Sequence, residues 1–385
     1  MSTAYFALMP RDGLFCKDGR GWYTSDVGRS HAHAWPLPST VRGALRAAWG
    51  QALMARRARA LFPEAWEQET QGVHLGAVLT LRRPLDEAFA PRHRLWPTPA
   101  DALAVAGHVR RLLPRPLPAG VGTLGTDDDE ALERLWRPGM PPGKPQPLPS
   151  FWTEEALCGW LRGTSPGALG APEPCRRTDV RVTLNAQTQT AEPGMLYQTE
   201  VLETLGAGGV QWALGVQCGL PEASPGFPGP VGLGGKRRLA LAEPVPEELF
   251  SAPAGLPETS PGLRLILATP AHFRRGWLPD GLEREEHEGH PAWVGTLPGV
   301  EGRVVLRAAL VPRPMDLSTW DMVRRAPRAT RRWVPAGAAY FFQRVDGRPF
   351  HALRSLWLAA WGQDPEEGLG RVLPGHWNPE EETHP

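Results

Sequence analysis

Residues 36–61, PLPSTVRGALRAAWGQALMARRARAL, decide the fold. Two prolines force an extended approach, so a helix must begin abruptly at Ser39-Thr40, either of which can cap it. Val41, Leu45, Ala48, Trp49 and Ala52 recur at helical spacing on one face. Arg42, Arg46, Arg56, Arg57 and Arg59 lie largely off that stripe, and Pro63 closes the helix. Such a helix needs an apolar layer to rest on. The flanking segments supply one, because 4–9 and 73–81 both read as strands.

Outward from there the pattern stays mixed. Helices are expected at 100–113, 153–161 and 351–361, the last stopped by Gly362. Strands are expected at 180–184, 195–204, 210–216, 263–268, 303–311 and 338–344, so the second half is richer in strand. A leading strand, a helix and a strand, with a similar set later, indicate an α+β fold with helices packed on antiparallel sheets. No exact internal repeat is visible. At 385 residues two domains are the default. Proline and glycine, 43 each, cluster at 114–122, 137–149, 163–175, 219–235 and 251–262, which read as long loops or insertions between short elements.

Charge narrows the function classes. A formal net charge of +1 excludes a globally basic nucleic-acid coat, so any polyanion site must be a local patch. Cys16, Cys158, Cys175 and Cys218 show no CxxC spacing, as expected of free thiols in a reducing cytoplasm. Arg11, Asp12, Lys17 and Asp18 interrupt any early apolar run, so no signal peptide is expected, and no stretch approaches a membrane span. No metal site, nucleotide loop or other cofactor is expected. His287 and His290 lie in EREEHEGH, which lacks the helical HExxH spacing and reads as a solvated charge run.

Three segments have the chemistry of an anion site. Residues 231–240, VGLGGKRRLA, place Gly234 and Gly235 directly before Lys236, Arg237 and Arg238. Glycine lets the backbone approach another chain closely, and basic side chains beside it suit a phosphate. Lys236 is one of only three lysines, with Lys17 and Lys144. Residues 10–22, PRDGLFCKDGRGW, form a polar turn carrying Lys17 and Arg20. At the helix start, free N–H groups, the hydroxyls of Ser39 and Thr40, and Arg42 and Arg46 make the third. The bland alternatives are a solvated hairpin tip and a routinely capped helix.

Taken together these segments resemble a known family, the third subunit of the type III-B CRISPR (Cmr) effector complex in the RAMP superfamily. Residues 10–22 resemble that family's L-F-x-[RK]-D-x-R-P-F turn, with Gly21-Trp22 in place of Pro-Phe. Residues 36–46 resemble P-[LP]-P-S-T-[VI]-x-G-A-[LI]-R. Residues 191–203, AEPGMLYQTEVLE, resemble A-E-E-G-x-L-[FY]; residues 232–239 resemble the G-G-[EK]-x-R turn; and 334–342, VPAGAAYFF, resemble V-P-A-G-[ST]-x-Y-F. The motifs run in family order from residue 10 to residue 342.

The resemblance implies two ferredoxin-like (RNA-recognition-like) domains packed face to face. We expect them at 1–185, with Pro-rich insertions, and 186–373, with the glycine-rich loop opening toward a cleft between the two, followed by a frayed tail at 374–385. It also implies a non-catalytic subunit that holds the 5′ repeat-derived tag of the guide RNA. Its partners would be the large polymerase-fold subunit and the backbone RAMP subunits. Sixteen tryptophans suit base stacking, though most, such as Trp49 and Trp357, read as core.

Two rival readings stand beside it. Relatives in the superfamily cleave guide precursors without metal through a histidine acid or base, and His31 and His33 are the candidates for that role here. A protein-only scaffold is the other. The five arginines within 324–333, RRAPRATRRW, suit RNA or an acidic partner equally.

Overall fold

The computed structural model describes residues 2–17, 29–30, 32–57, 63–116, 135–166, 168–171, 173–206, 208–222, 227–235, 238–321, 324 and 326–380. β1 (Ser2–Pro10) leads through α1 (Pro38–Arg57) and α2 (Pro63–Thr70) to β2 (His74–Pro84). β3 (Arg94–Pro97), β4 (Phe151–Thr153), α3 (Glu154–Arg162) and β5 (Gly170–Ala171) follow. A long hairpin of β6 (Cys175–Leu184) and β7 (Ala191–Glu203) precedes β8 (Val210–Leu220), β9 (Val231–Leu233) and β10 (Arg238–Pro244). The remainder comprises β11 (Gly262–Leu267), β12 (Leu282–His287), β13 (His290–Gly295), β14 (Val304–Leu310), β15 (Ala339–Arg344) and β16 (Val372–Trp377).

The first sheet runs β5-β4-β3-β2-β8-β1-β10-β9, with Leu205–Gly206 added beside β8. The second runs β12-β13-β14-β15-β11-β16. Both contain one pattern. Counted by chain position, β1, β2, β8 and β10 lie in the spatial order 4-1-3-2, and so do β11, β14, β15 and β16. The third strand is antiparallel to both its neighbours, so the first and second run parallel and require a crossover. In the first sheet α1 lies on that crossover; in the second the crossover contains the hairpin β12–β13. Strands from both sides of the 185/186 position share the first sheet, and the chain changes sheet between β10 and β11.

Alternation along the strands sets the layers. Phe6 and Leu8 of β1 face α1, where Val41, Leu45, Trp49 and Leu53 complete one core. Ala7, Ala77, Leu79, Leu81 and Ala213 face the other way, into a core shared with Ile266, Ala339, Phe341, Leu373 and Trp377 of the second sheet. α3 contributes Leu157, Trp160 and Leu161 to that shared core. Leu263, Leu265, Tyr340 and Phe342 form a third core on the outer side of the second sheet, against Phe273, Leu353 and Trp361. The α+β expectation holds at this level.

α3 matches its expected position and has orthodox ends. Thr153 Oγ1 accepts from the Ala156 N–H at 3.2 Å, and Gly163 closes the helix at φ 92°. Elsewhere local pattern misled. The stretch 100–113, expected as a helix, is a hairpin of Ala102–Val105 and His108–Arg111. Its two-residue turn, Ala106-Gly107, has φ of 50° and 78°, the geometry that suits a tight hairpin. The stretch 351–361 holds only a 3-10 turn at Leu353–Leu356, bracketed by Ala352 and Leu358 at positive φ. The charge run EREEHEGH is the hairpin β12–β13, turning at Glu288-Gly289.

Residues 374–377, expected as part of a frayed tail, belong to β16 and pair with β11. Trp377 is 1 % exposed. Pro374 is compatible with strand because β16 is the outermost strand of its sheet, where a missing N–H costs least. The helix start also shifts. Pro38 occupies the first helical position, and the Thr40 and Val41 N–H groups both donate to Leu37 O. Ser39 and Thr40 therefore lie inside the first turn.

Candidate nucleic-acid interface

The glycine turn is built against the first strand's exit. Val231 and Leu233 anchor β9 in the core beneath α1. The chain then turns at Gly234, φ 72°, and the Gly235 N–H donates to Phe15 O at 2.6 Å. A Cβ on Gly234 would stand 2.6 Å from Phe15 O, and one on Gly235 would stand 2.5 Å from Phe15 Cδ1. The two turns interlock, and glycine is required by that approach. The turn thus closes onto Leu14–Cys16 on the α1 side of the first sheet; the expectation had it open toward a cleft between the 1–185 and 186–373 domains.

The Leu14–Lys17 segment is itself held on several sides. Leu14 bridges Leu202 of β7, Lys17 bridges Ala32, and the His33 N–H donates to Cys16 O at 2.8 Å. The short strand Arg29–Ser30 runs parallel to Gln198–Thr199 of β7. Stretches near residues 15, 32, 200 and 235 therefore meet. Of the expected anion-binding residues this assembly holds Lys17, Gly234, Gly235 and Arg238. Arg20, Lys236 and Arg237 lie outside the described residues, as does His31.

The helix residues do something else. Arg42 donates through Nε to Val73 O at 3.1 Å and pairs with Glu367 at 3.1 Å. Arg46 donates to Thr70 Oγ1 at 3.2 Å and to Glu67 O at 3.3 Å, and its guanidinium lies over the Trp66 ring. Burial pulls the Arg46 guanidinium below its ordinary range, and neighbouring Arg42 adds to that. Both side chains tie α1 to the α2–β2 connection and, through Glu367, to the second half of the chain. Ser39 and Thr40 are half-buried at the same helix end.

The hairpin β6–β7 adds groups that the motif reading did not single out. Asp179 accepts from Arg177 Nε at 2.8 Å and from one terminal nitrogen of Arg181 at 3.1 Å; Arg238 approaches to 3.9 Å from β10. Burial pushes the Asp179 carboxyl upward, but Arg181 and Arg177 outweigh it and hold the group below its ordinary value. Asp179 and Arg181 are half-buried, as is Tyr197 opposite Arg181, and Thr199 opposite Asp179 is buried. The other side of the hairpin exposes Val180, Val182, Leu184 and Leu196. Expected strand 180–184 began too late to include Arg177 and Asp179. The alternation D-V-R-V-T-L would have extended it to Asp179, whereas only pairing with β7 places Arg177 in the strand.

Other candidates fall away from this place. Arg331 and Arg332 of the arginine-rich stretch pair with Asp364 at 2.9 Å and Asp316 at 3.1 Å. Trp49, Trp96, Trp152, Trp160 and Trp377 are fully buried and fill cores.

A family model described as "CRISPR-associated protein (Cas_Cmr3)" matches residues 6–377. No curated protein matches the chain. Among solved structures, a chain of the type III-B Cmr-beta bound to cognate target RNA is 11% identical, covers 88% of this chain and 86% of its own length, and gives a TM-score of 0.43. A chain of the same complex bound to cognate target RNA and AMPPnP is 10% identical over 88% and 86%, with a TM-score of 0.42.

Proposed function

The chain belongs to the Cas_Cmr3 family of CRISPR-associated proteins, and from that premise we propose that it is the guide-RNA-holding, non-catalytic subunit of a type III-B Cmr effector complex. In this reading it grips the 5′ repeat-derived tag, docks the large polymerase-fold subunit, and meets the backbone RAMP subunits in the cytoplasm. We read each 4-1-3-2 strand set as a ferredoxin-like unit, the first keeping its crossover helix α1 and the second replacing it with β12–β13.

One observation carries the RNA-binding reading. The glycine turn and the Leu14–Lys17 turn, separated by more than half the chain, interlock beside Arg238, Arg177 and Arg181. Close-packed backbone beside guanidinium groups suits a single strand held by its phosphates, with sequence read elsewhere along it. Because the overall charge is +1, attraction must come from this local patch.

The test is binding of labelled tag RNA by the purified chain over a range of salt, with co-purification of the large subunit as the second readout. We expect affinity that falls steeply with salt, and RNA recovered uncut. Salt-insensitive or absent binding would overturn the RNA-holding role. Cleavage of the labelled RNA that is lost in His31→Ala or His33→Ala would overturn the non-catalytic one.

A further inference from the structure

We propose that Arg177, Arg181 and Arg238 form a single phosphate site between the hairpin and the glycine turn, with Asp179 as its positioning residue and resident counter-ion. The ligand class is the phosphodiester of single-stranded RNA, and the inference rests on the RNA-holding reading above. Arg177 and Arg181 stand two positions either side of Asp179 on one strand, so the pleat of β6 directs all three side chains to the same side. Arg238 arrives from β10, a strand of the first sheet. Three guanidiniums thus share one carboxylate, at 2.8, 3.1 and 3.9 Å.

The balance of groups favours an anion. Arg177 has a second partner in Glu203 at 2.9 Å, so among the described residues three cations of the cluster face two carboxylates. Among the described residues Arg181 Nε has no hydrogen-bond acceptor, although one terminal nitrogen of the same guanidinium is bonded to Asp179. That nitrogen is shielded from solvent, so an incoming phosphate would meet the exposed parts of the Arg177 and Arg181 side chains. The guanidinium fork is shaped for bidentate contact with such an oxyanion. Solvent reaches the cluster, because the Arg177 and Arg181 side chains are 54% and 38% exposed.

Asp179 holds the forks apart in the absence of RNA and competes with phosphate when RNA arrives. That double role gives opposite signs on substitution. Arg181→Ala should weaken binding of labelled single-stranded repeat RNA about tenfold at low salt. It should also reduce the magnitude of the log–log salt slope by about 0.7, the value for one lost phosphate contact on a single strand. Asp179→Asn keeps an oxygen acceptor and removes the competing charge, so it should bind the same RNA several-fold tighter, with a steeper slope. Circular dichroism and a thermal melt check that each variant is folded.

The outcomes separate this site from the broader reading. Wild-type chain that fails to bind RNA overturns both. Wild-type binding with an unchanged Arg181→Ala variant overturns the phosphate site alone. If Arg181→Ala and Asp179→Asn weaken binding together and melt together, the cluster merely ties the hairpin to the body, and the proposal fails. Opposite shifts in two folded variants support it.

Discussion

Arg264 of β11 meets Asp101 at 3.0 Å with neither side chain exposed, inside the core that the two sheets share. Asp101 also accepts from Trp160 Nε1 at 2.9 Å, and Arg264 donates to Trp160 O. Gly375 of the neighbouring strand leaves the room that the guanidinium fills. The C-terminal end of α3 is thus bound to the second sheet. Its N-terminal end is bound to the first, where Arg94 of β3 pairs with Glu154.

This pair makes a sharp prediction. Arg264→Ala leaves a buried carboxylate with one neutral donor and should cost about 3–5 kcal/mol, the range for breaking one side of a buried ion pair. The double variant Asp101→Leu/Arg264→Met should recover most of that loss, less the penalty of orphaning the Trp160 N–H. Urea unfolding of the three proteins measures it. Equal losses in the single and double variants would show that packing volume, not uncompensated charge, dominates.

Gly234 and Gly235 should respond differently. Gly234→Ala meets both a positive φ and the fixed carbonyl of Phe15, so about 1–3 kcal/mol of destabilisation is expected. Gly235→Ala carries no positive-φ strain, but its Cβ would stand 2.5 Å from Cδ1 of the buried Phe15 ring, so a smaller destabilisation is expected. Thermal melts compare the two, and RNA affinity should fall with Gly234→Ala because the interlocked turns separate.

Arg42 should matter to folding rather than to RNA. Removing it breaks contacts to Val73 O and the half-buried Glu367, so Arg42→Ala should lose about 1–3 kcal/mol. Arg57→Ala breaks only an exposed pair with Glu69 and should leave the urea midpoint nearly unchanged. Urea midpoints decide this. A folded Arg42→Ala variant with strongly reduced RNA affinity would restore an anion site at the helix start.

His93 gives the pH dependence. Burial lowers its pKa from the ordinary 6.5, against the opposing hydrogen bond to Glu87. Nδ1 accepts from the Ala90 N–H at 3.1 Å, so the neutral ring carries its proton on Nε2, toward Glu87. Since the folded value lies below the unfolded one, the contribution is complete above about pH 6.5 and is lost as pH falls through the lower folded value. Melting temperature should decline over that window, and His93→Gln should flatten the decline.

The thiols supply a check on packing. Burial pushes Cys16, Cys158 and Cys218 up to about 12, whereas Cys175 is exposed at the start of β6. A maleimide at neutral pH should modify Cys175 alone in the native protein and all four thiols after denaturation. Rapid native labelling of Cys16 would show that the Leu14–Lys17 turn is not packed as described.

Local sequence determined the elements whose signal lies within a few residues. The amphipathic stripe of α1, the position of α3 and the strands at β1, β2, β8 and β15 were legible from periodicities of 3.6 and 2. So were the motifs that carry the family. Tertiary structure decided what depends on distant partners. Asp101 reads as the start of a helix until Arg264 and Trp160 bury it in a hairpin. Pro374 reads as the end of order until β11 pairs with its strand. Arg42 reads as an unpaired cation at the helix start, whereas the fold pairs it with Glu367, 325 positions away. Even the interlock of Gly235 with Phe15 needed two turns brought together by sheet order. A sequence window reports neighbours along the chain, whereas hydrogen bonds and ion pairs form with whatever the folded layers bring within about 3 Å.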